Sequence, residues 1–135
     1  MNPGALDGLV VVDFSRVLAG PYATMMLGDF GADVMKIERP QVGDDTREWG
    51  PPYDSEGVAT YFNAVNRNKR SVVLDLTDPA DQQRARELVA TADIVVENFR
   101  AGTMERPSLG YEELSAINSR LVYCSVSAFG ERRGP

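Results

Sequence analysis

An α/β domain is predicted here, with an open, mostly parallel sheet of about five strands and helices flanking it. Short β-branched runs alternate with helix-like stretches, which is the pattern of successive βαβ units. The runs are near-continuously apolar rather than alternating, as expected for strands covered on both faces. Two segments, Ala32-Asp33-Val34 and Ala92-Asp93-Ile94, echo each other as equivalent helix-to-strand turns built on aspartate.

The strands are expected at residues 9–14, 33–38, 71–76, 93–98 and 121–126, all of them buried. Between the first two, Pro21 opens a helix and Gly31 ends it, with Tyr22, Met25, Met26 and Phe30 at helical spacing. After the third strand, Asp78-Pro79 supplies an N-cap and a first-turn proline, and Asp81 suits the helix dipole. Ala85, Leu88, Val89 and Ala92 then form a stripe for the sheet. A shorter helix is expected over 111–117 with Leu114 and Ile117 inward. Residues 41–70 form a long connection between strands two and three, helix-like around 58–64; a connection of that length carries function or leaves the domain to meet something else.

At 135 residues the chain is the usual size of one domain, able to bury roughly two-thirds of its unfolded surface. No apolar run approaches the ~20 residues that span a bilayer, so membrane insertion is excluded. The start lacks the basic flank and apolar stretch of a secretion signal, and a single cysteine, Cys124, forms no internal disulfide; a reducing cytoplasm is the expected location. Fourteen basic against twenty acidic side chains give a net charge of -6, which disfavours nonspecific binding to nucleic acid or an anionic membrane. An anionic ligand then needs a local basic site. There is no histidine, so chemistry that depends on imidazole is not complete in this chain.

Ligands of open parallel sheets bind beyond the carboxyl ends of the strands. In order, those ends lead into Ser15-Arg16-Val17-Leu18-Ala19-Gly20-Pro21, Arg39-Pro40, Thr77-Asp78, Phe99-Arg100-Ala101-Gly102 and Ser127-Ala128-Phe129-Gly130. Small residues, helix-start NH groups and isolated arginines thus share one edge, which suits a phosphate-bearing, partly apolar ligand. Arg39 or Arg100 alone reads as a solvated strand-end charge; their shared edge favours a site. The glycine patterns of dinucleotide and P-loop nucleotide sites are absent. Arg67, Lys69 and Arg70 precede the third strand and are expected at the opposite edge as fold or interface residues. Asp44 and Asp45, with no metal-ligand partners at suitable spacing, read as a polar surface loop. Cys124 reads as a buried, inert thiol, Asp13 and Glu38 as turn holders or partners of arginines, and Trp49 with Pro51-Pro52-Tyr53 as a rigid packing or interface element.

Taken together, the segments resemble the amino-terminal part of the family III CoA-transferases, the CaiB/BaiF family that includes formyl-CoA transferase, carnitine CoA-transferases and α-methylacyl-CoA racemase. The resemblance covers nearly the whole chain. It rests on Asp13 to Pro21, on Leu27-Gly28-Asp29-Phe30-Gly31-Ala32-Asp33-Val34 running into Lys36-Ile37-Glu38-Arg39-Pro40, and on Gly43-Asp44-Asp45-Thr46-Arg47 with Trp49-Gly50-Pro51-Pro52. It continues through Asn66-Arg67-Asn68-Lys69-Arg70-Ser71, Leu74-Asp75-Leu76, Glu97-Asn98-Phe99-Arg100, Leu109-Gly110-Tyr111 and Phe129-Gly130.

The resemblance implies a Rossmann-like sheet that is part of a larger, interlocked homodimer, with residues 1–135 as an incomplete CoA-binding part of the large domain. It implies coenzyme A and acyl-CoA as substrate rather than a permanently bound cofactor, and a carboxylic acid as second substrate. CoA would move between acids through a mixed anhydride and a thioester on an aspartate, a nucleophile that divides one exchange into easier acyl transfers. By similarity the CoA-contacting positions are Val17, Leu18, Ala19, Arg39, Leu74, Asp75, Leu76, Thr77, Asn98, Phe99, Arg100 and Arg106. Thr77 and Ala101 depart from the lysine and proline common at those places. The nucleophilic aspartate is expected in a Gly-Asp segment beyond Pro135, so no aspartate of this chain takes its role, and the chain alone is expected to be inactive. A racemase-type enzyme and a noncatalytic CoA- or nucleotide-binding module are the competing readings.

Overall fold

The computed structural model describes residues 4–130. Its elements run β1 (Val10–Asp13), α1 (Ala19–Asp29), β2 (Asp33–Glu38), a short 3-10 turn (Asp45–Glu48), α2 (Thr60–Asn66), β3 (Lys69–Val73), α3 (Pro79–Ala90), β4 (Ile94–Glu97), α4 (Tyr111–Ile117) and β5 (Val122–Ser125). All five strands are parallel, in the order β3-β2-β1-β4-β5. The chain winds outward from β1 to one side and then, from β4, to the other. A crevice therefore opens where the loops after β1 and β4 diverge.

Pleating sends alternate side chains of the three inner strands to opposite faces. Val12, Met35 and Val95 join Phe14, Ala85, Val89, Leu109 and Leu114 in one core, which places α3 and α4 on that face. Val11, Val34 and Val96 form a smaller core on the other face, against Leu27 of α1. The helix signals act as expected at α3, where the Asp78 carboxylate accepts from the Ala80 NH at 2.6 Å and Pro79 follows it. Ala85, Val89 and Ala92 are buried and Leu88 packs against the same core. The twin turns are equivalent too: the NH groups of Asp33 and Asp93 donate to Leu9 and Val10.

Five expectations about these elements need correction. The third strand lies at Lys69–Val73 rather than 71–76, because its ladder with β2 pairs Val34 with Lys69 and Glu38 with Val73; Leu74 and Leu76, apolar though they are, belong to the turn beyond it. The connection from β2 accordingly ends before Lys69 and contains the 3-10 turn and α2. Only the inner strands are buried, and they too are open at their first residues, Val10, Asp33 and Ile94. β3 and β5 are the outer strands, with Val73 58% and Val122 60% exposed, and Cys124 on β5 is exposed rather than buried. Ile117, at the last turn of α4, is also exposed, while Leu114 faces the core.

Candidate functional site

The carboxyl ends of β1 and β2 meet in a buried polar network. Asp13 closes β1 at 0% exposure, and its carboxylate accepts from Ser15, Thr24 and the Lys69 ammonium, the last at 3.0 Å. Lys69 comes from β3 and also donates to the Pro21 carbonyl and to Asn66. Lys69 thus opens β3 at the amino-terminal edge and serves the fold, as expected, but its side chain is buried and carries the charge inward to Asp13. Burial lowers its pKa to about 8, against the opposing pull of Asp13. Its companions in the sequence, Arg67 and Arg70, pair with Asp29 and Asp33 at the surface.

A second buried pair stands beside the first. Lys36 of β2 reaches Asp44 at 2.8 Å and donates to the Ser15 carbonyl at 3.0 Å. Asp44 is thus a structural anion rather than part of a polar surface loop. Burial opposes its charge, but Lys36 and the Thr46 NH and hydroxyl together hold its carboxyl below the ordinary range. Glu38 is likewise buried against its charge, and Arg47, Ser71 and the Asp44 NH more than compensate. Arg47 also lies 3.8 Å above the Phe62 ring, which ties the 3-10 turn to α2. Trp49 stacks near Tyr61 with centroids 5.6 Å apart and keeps half its surface exposed.

These pairs shape the loop between β1 and α1. Gly20 is required there, because a Cβ would lie 2.3 Å from the Cβ of Ser15. Val17 adopts φ 71°, an unfavourable conformation for a β-branched residue, and its NH points to Asp44 at 3.3 Å. From the β4 side, the Asn98 amide bonds both backbone groups of Arg16: its oxygen accepts from the Arg16 NH at 2.8 Å and its nitrogen donates to the Arg16 carbonyl at 2.7 Å. The two lips of the crevice are stitched together by this one side chain.

Below the stitch lies a cleft of about 300 Å³ that brings together Arg39, Leu74, Asp75, Leu76, Thr77, Phe99 and Arg106, seven of the twelve positions singled out from the sequence. Its apolar lining includes Phe14, Ile37 and Met104, and its charged lining mixes Arg16, Arg39 and Arg106 with Glu38, Asp44 and Asp75. Arg39 pairs with Asp45 and donates to the Gly43 carbonyl. Asp75 accepts from the NH and hydroxyl of Thr77, which hold its carboxyl below the usual range and fix the turn. Ala19, Asn98 and Arg100 line an adjoining shallow groove that shares Phe99 with the cleft. Val17 and Leu18 line neither; they belong to the loop above, where Leu18 is exposed.

Arg16 was not among those twelve, although the strand-end motif contains it. It lines the cleft with its guanidinium carbon 4.5 Å from the Phe99 ring centre. Burial and nearby Arg39 lower its pKa, partly offset by Asp45 and Asp44. A larger concavity of about 760 Å³ opens beside β5; Phe99 and Arg100 line it too, but Glu97, Glu105, Glu112 and Glu113 outnumber that one cation and disfavour an anionic ligand. In the smaller cleft Glu38 and Asp44 are already paired with Arg47 and Lys36, which leaves the arginines there less opposed than Arg100 is in the larger concavity.

Residues 6–135 match the model of CoA-transferase family III. The chain is 49% identical over 131 residues to the succinate–glutarate CoA-transferase of Agrobacterium fabrum, covering 93% of this chain and 33% of the relative. It is 51% identical over 134 residues to the succinyl-CoA:mesaconate CoA-transferase of Haloarcula hispanica, covering 96% and 33%. A crystal structure of a CaiB/BaiF family protein from Brucella suis superimposes with a TM-score of 0.93 at 50% identity, covering 99% of this chain and 36% of that one. The chain thus spans about a third of the length of the proteins it matches. With its family model matched almost from end to end and its sheet superimposed on a solved member, this chain belongs to CoA-transferase family III.

Proposed function

We propose that residues 1–135 form the CoA-binding part of an enzyme that moves CoA between an acyl-CoA and a free carboxylic acid. The observation that carries this reading is the cleft itself: three arginines beside an apolar lining, with the neighbouring Glu38 and Asp44 already paired, at the switch point of a family III sheet. Arg39 and Arg106 take phosphate oxygens of CoA, Phe99 covers an apolar part of it, and the Leu74 to Thr77 turn forms the opposite wall. The positions outside the cleft, Val17, Leu18, Ala19, Asn98 and Arg100, line the path from the cleft toward the reacting end.

The chemistry is ping-pong on an aspartate outside this chain. Its carboxylate attacks the thioester carbonyl and expels CoA thiolate, leaving an acyl-aspartyl anhydride. The thiolate attacks the aspartyl carbonyl and releases the first acid; the incoming acid then repeats both steps in reverse. Short dicarboxylic acids are the preferred acyl class, a reading supported by the names of the succinate, glutarate and mesaconate relatives. An interlocked homodimer in the cytoplasm completes the picture.

The test is steady-state transfer by the full-length protein from succinyl-CoA to glutarate, followed by chromatography of the CoA esters. Hydroxylamine trapping of an aspartyl thioester supports the mechanism. Transfer by the 135-residue chain alone, abolished by replacing one of its own aspartates, overturns it; proton exchange at the acyl α-carbon without transfer identifies a racemase instead.

A further inference from the structure

The loop after β1 is restrained at every peptide unit around Arg16. Ser15 is held by Asp13 and by Lys36, Arg16 by both ends of the Asn98 amide, and Val17 by Asp44 in a left-handed conformation. Two of these restraints are charges whose side chains are at most 2% exposed, Lys36 and Asp44. Backbone outliers held by surrounding structure cluster at ligand clamps. The Arg16 side chain differs from the backbone that carries it: among the described residues its guanidinium makes no ion pair or hydrogen bond and rests on Phe99 at the cleft. Arg39, on the facing strand end, is occupied by Asp45 and Gly43.

We infer that Arg16 is the fixed half, and Arg39 the movable half, of a two-guanidinium seat for a phosphate group of the CoA ligand; this deepens the reading above and rests on it. A phosphate is favoured over the acid's carboxylate by charge. A single carboxylate offers Arg39 only what Asp45 already supplies, whereas a phosphate dianion satisfies both guanidinium groups at once and removes their mutual repulsion. Asp45 is then a competitor that the ligand displaces, and Lys36, Asp44 and Asn98 are positioning residues for Arg16.

Titration calorimetry on the full-length protein tests this with CoA, inorganic pyrophosphate and glutarate as probes. Arg16→Gln is expected to weaken CoA and pyrophosphate roughly tenfold or more, the size of a lost charged hydrogen bond, and to leave glutarate unchanged. Arg16→Lys, which keeps the charge but not the fork, falls between. Asp45→Asn tightens both phosphate probes. Should Arg16→Gln fail to fold, Phe99→Leu carries the test, because loss of the stack loosens the guanidinium and weakens pyrophosphate. Unchanged phosphate binding in these variants, or a loss confined to glutarate, overturns the seat. The underlying reading fails separately: a wild type that binds pyrophosphate through Arg16 but no CoA keeps the seat and loses the CoA assignment.

Discussion

Two sets of ion pairs in this molecule have nearly the same geometry and opposite surroundings. Lys36–Asp44 and Lys69–Asp13, at 2.8 and 3.0 Å, are sealed beneath the loop after β1 with side chains at most 2% exposed. Arg67–Asp29, at 2.7 Å, and Arg70–Asp33 lie in solvent on the outer surface. Distance therefore says little about what each pair does. In water the attraction is screened and the side chains lose entropy to meet; under the loop, removing one partner leaves the other's charge buried with only neutral hydrogen-bonding groups around it. The buried pairs act as joints of the loop after β1, and the outer ones fasten turns that other contacts already hold.

The largest expected effect tests the buried side. Lys69→Met leaves Asp13 uncompensated and is expected to cost about 3–5 kcal/mol in urea unfolding of the full-length protein. The double replacement Asp13→Leu with Lys69→Met recovers part of this but not all, because Ser15 and Thr24 also lose their acceptor. Equal losses in the single and double variants would place Lys69 with the surface cations. Next in size is Asn98→Ala, which removes two hydrogen bonds from Arg16, about 1–3 kcal/mol in all. Amide exchange at Arg16 and Val17 is expected to quicken while β2 keeps its protection.

The pH response separates the two classes further. An unfolded lysine keeps its proton to its ordinary value of 10.5, whereas Lys69 in the fold releases it above about 8. Over that window the unfolded chain binds more protons, so stability rises with pH. The contribution is complete above 10.5 and is lost as pH falls through about 8. The gap between wild type and Lys69→Met is expected to widen from pH 8 to 10; a constant gap refutes the buried cation. The smallest effect is expected for Arg70→Ala, below about 1 kcal/mol and vanishing in 1 M salt, read by the same urea titration.

The sequence and the structure agree where a residue's chemistry alone sets its place. Asp78-Pro79 starts a helix wherever it occurs before an amphipathic stretch, and the apolar inner strands leave few alternatives to burial. Disagreement arises where a neighbour decides. The run Leu121 to Val126 reads the same whether a helix or solvent covers it, so Cys124 was misplaced. The register of β3 brings Lys69 within reach of Asp13, 56 residues away, and Asp44 is buried with Lys36; neither pairing has a local signal. The strand-edge rule brought Arg39 and Phe99 into view, the family resemblance added Arg106, and seven of the twelve positions do share a cleft. Arg16 stood in the same motif, but its role depends on Asn98, 82 residues away.

That amide has a thermodynamic side. A loop that folds around its ligand gives up backbone and side-chain freedom at the moment of binding, at about 0.5–1.5 kcal/mol for each mobile side chain that is fixed. Here Asn98 spends that freedom during folding, before any ligand arrives. The ligand's contact energy then goes into affinity rather than into ordering the protein, and encounter with the cleft needs no slow rearrangement of its upper lip.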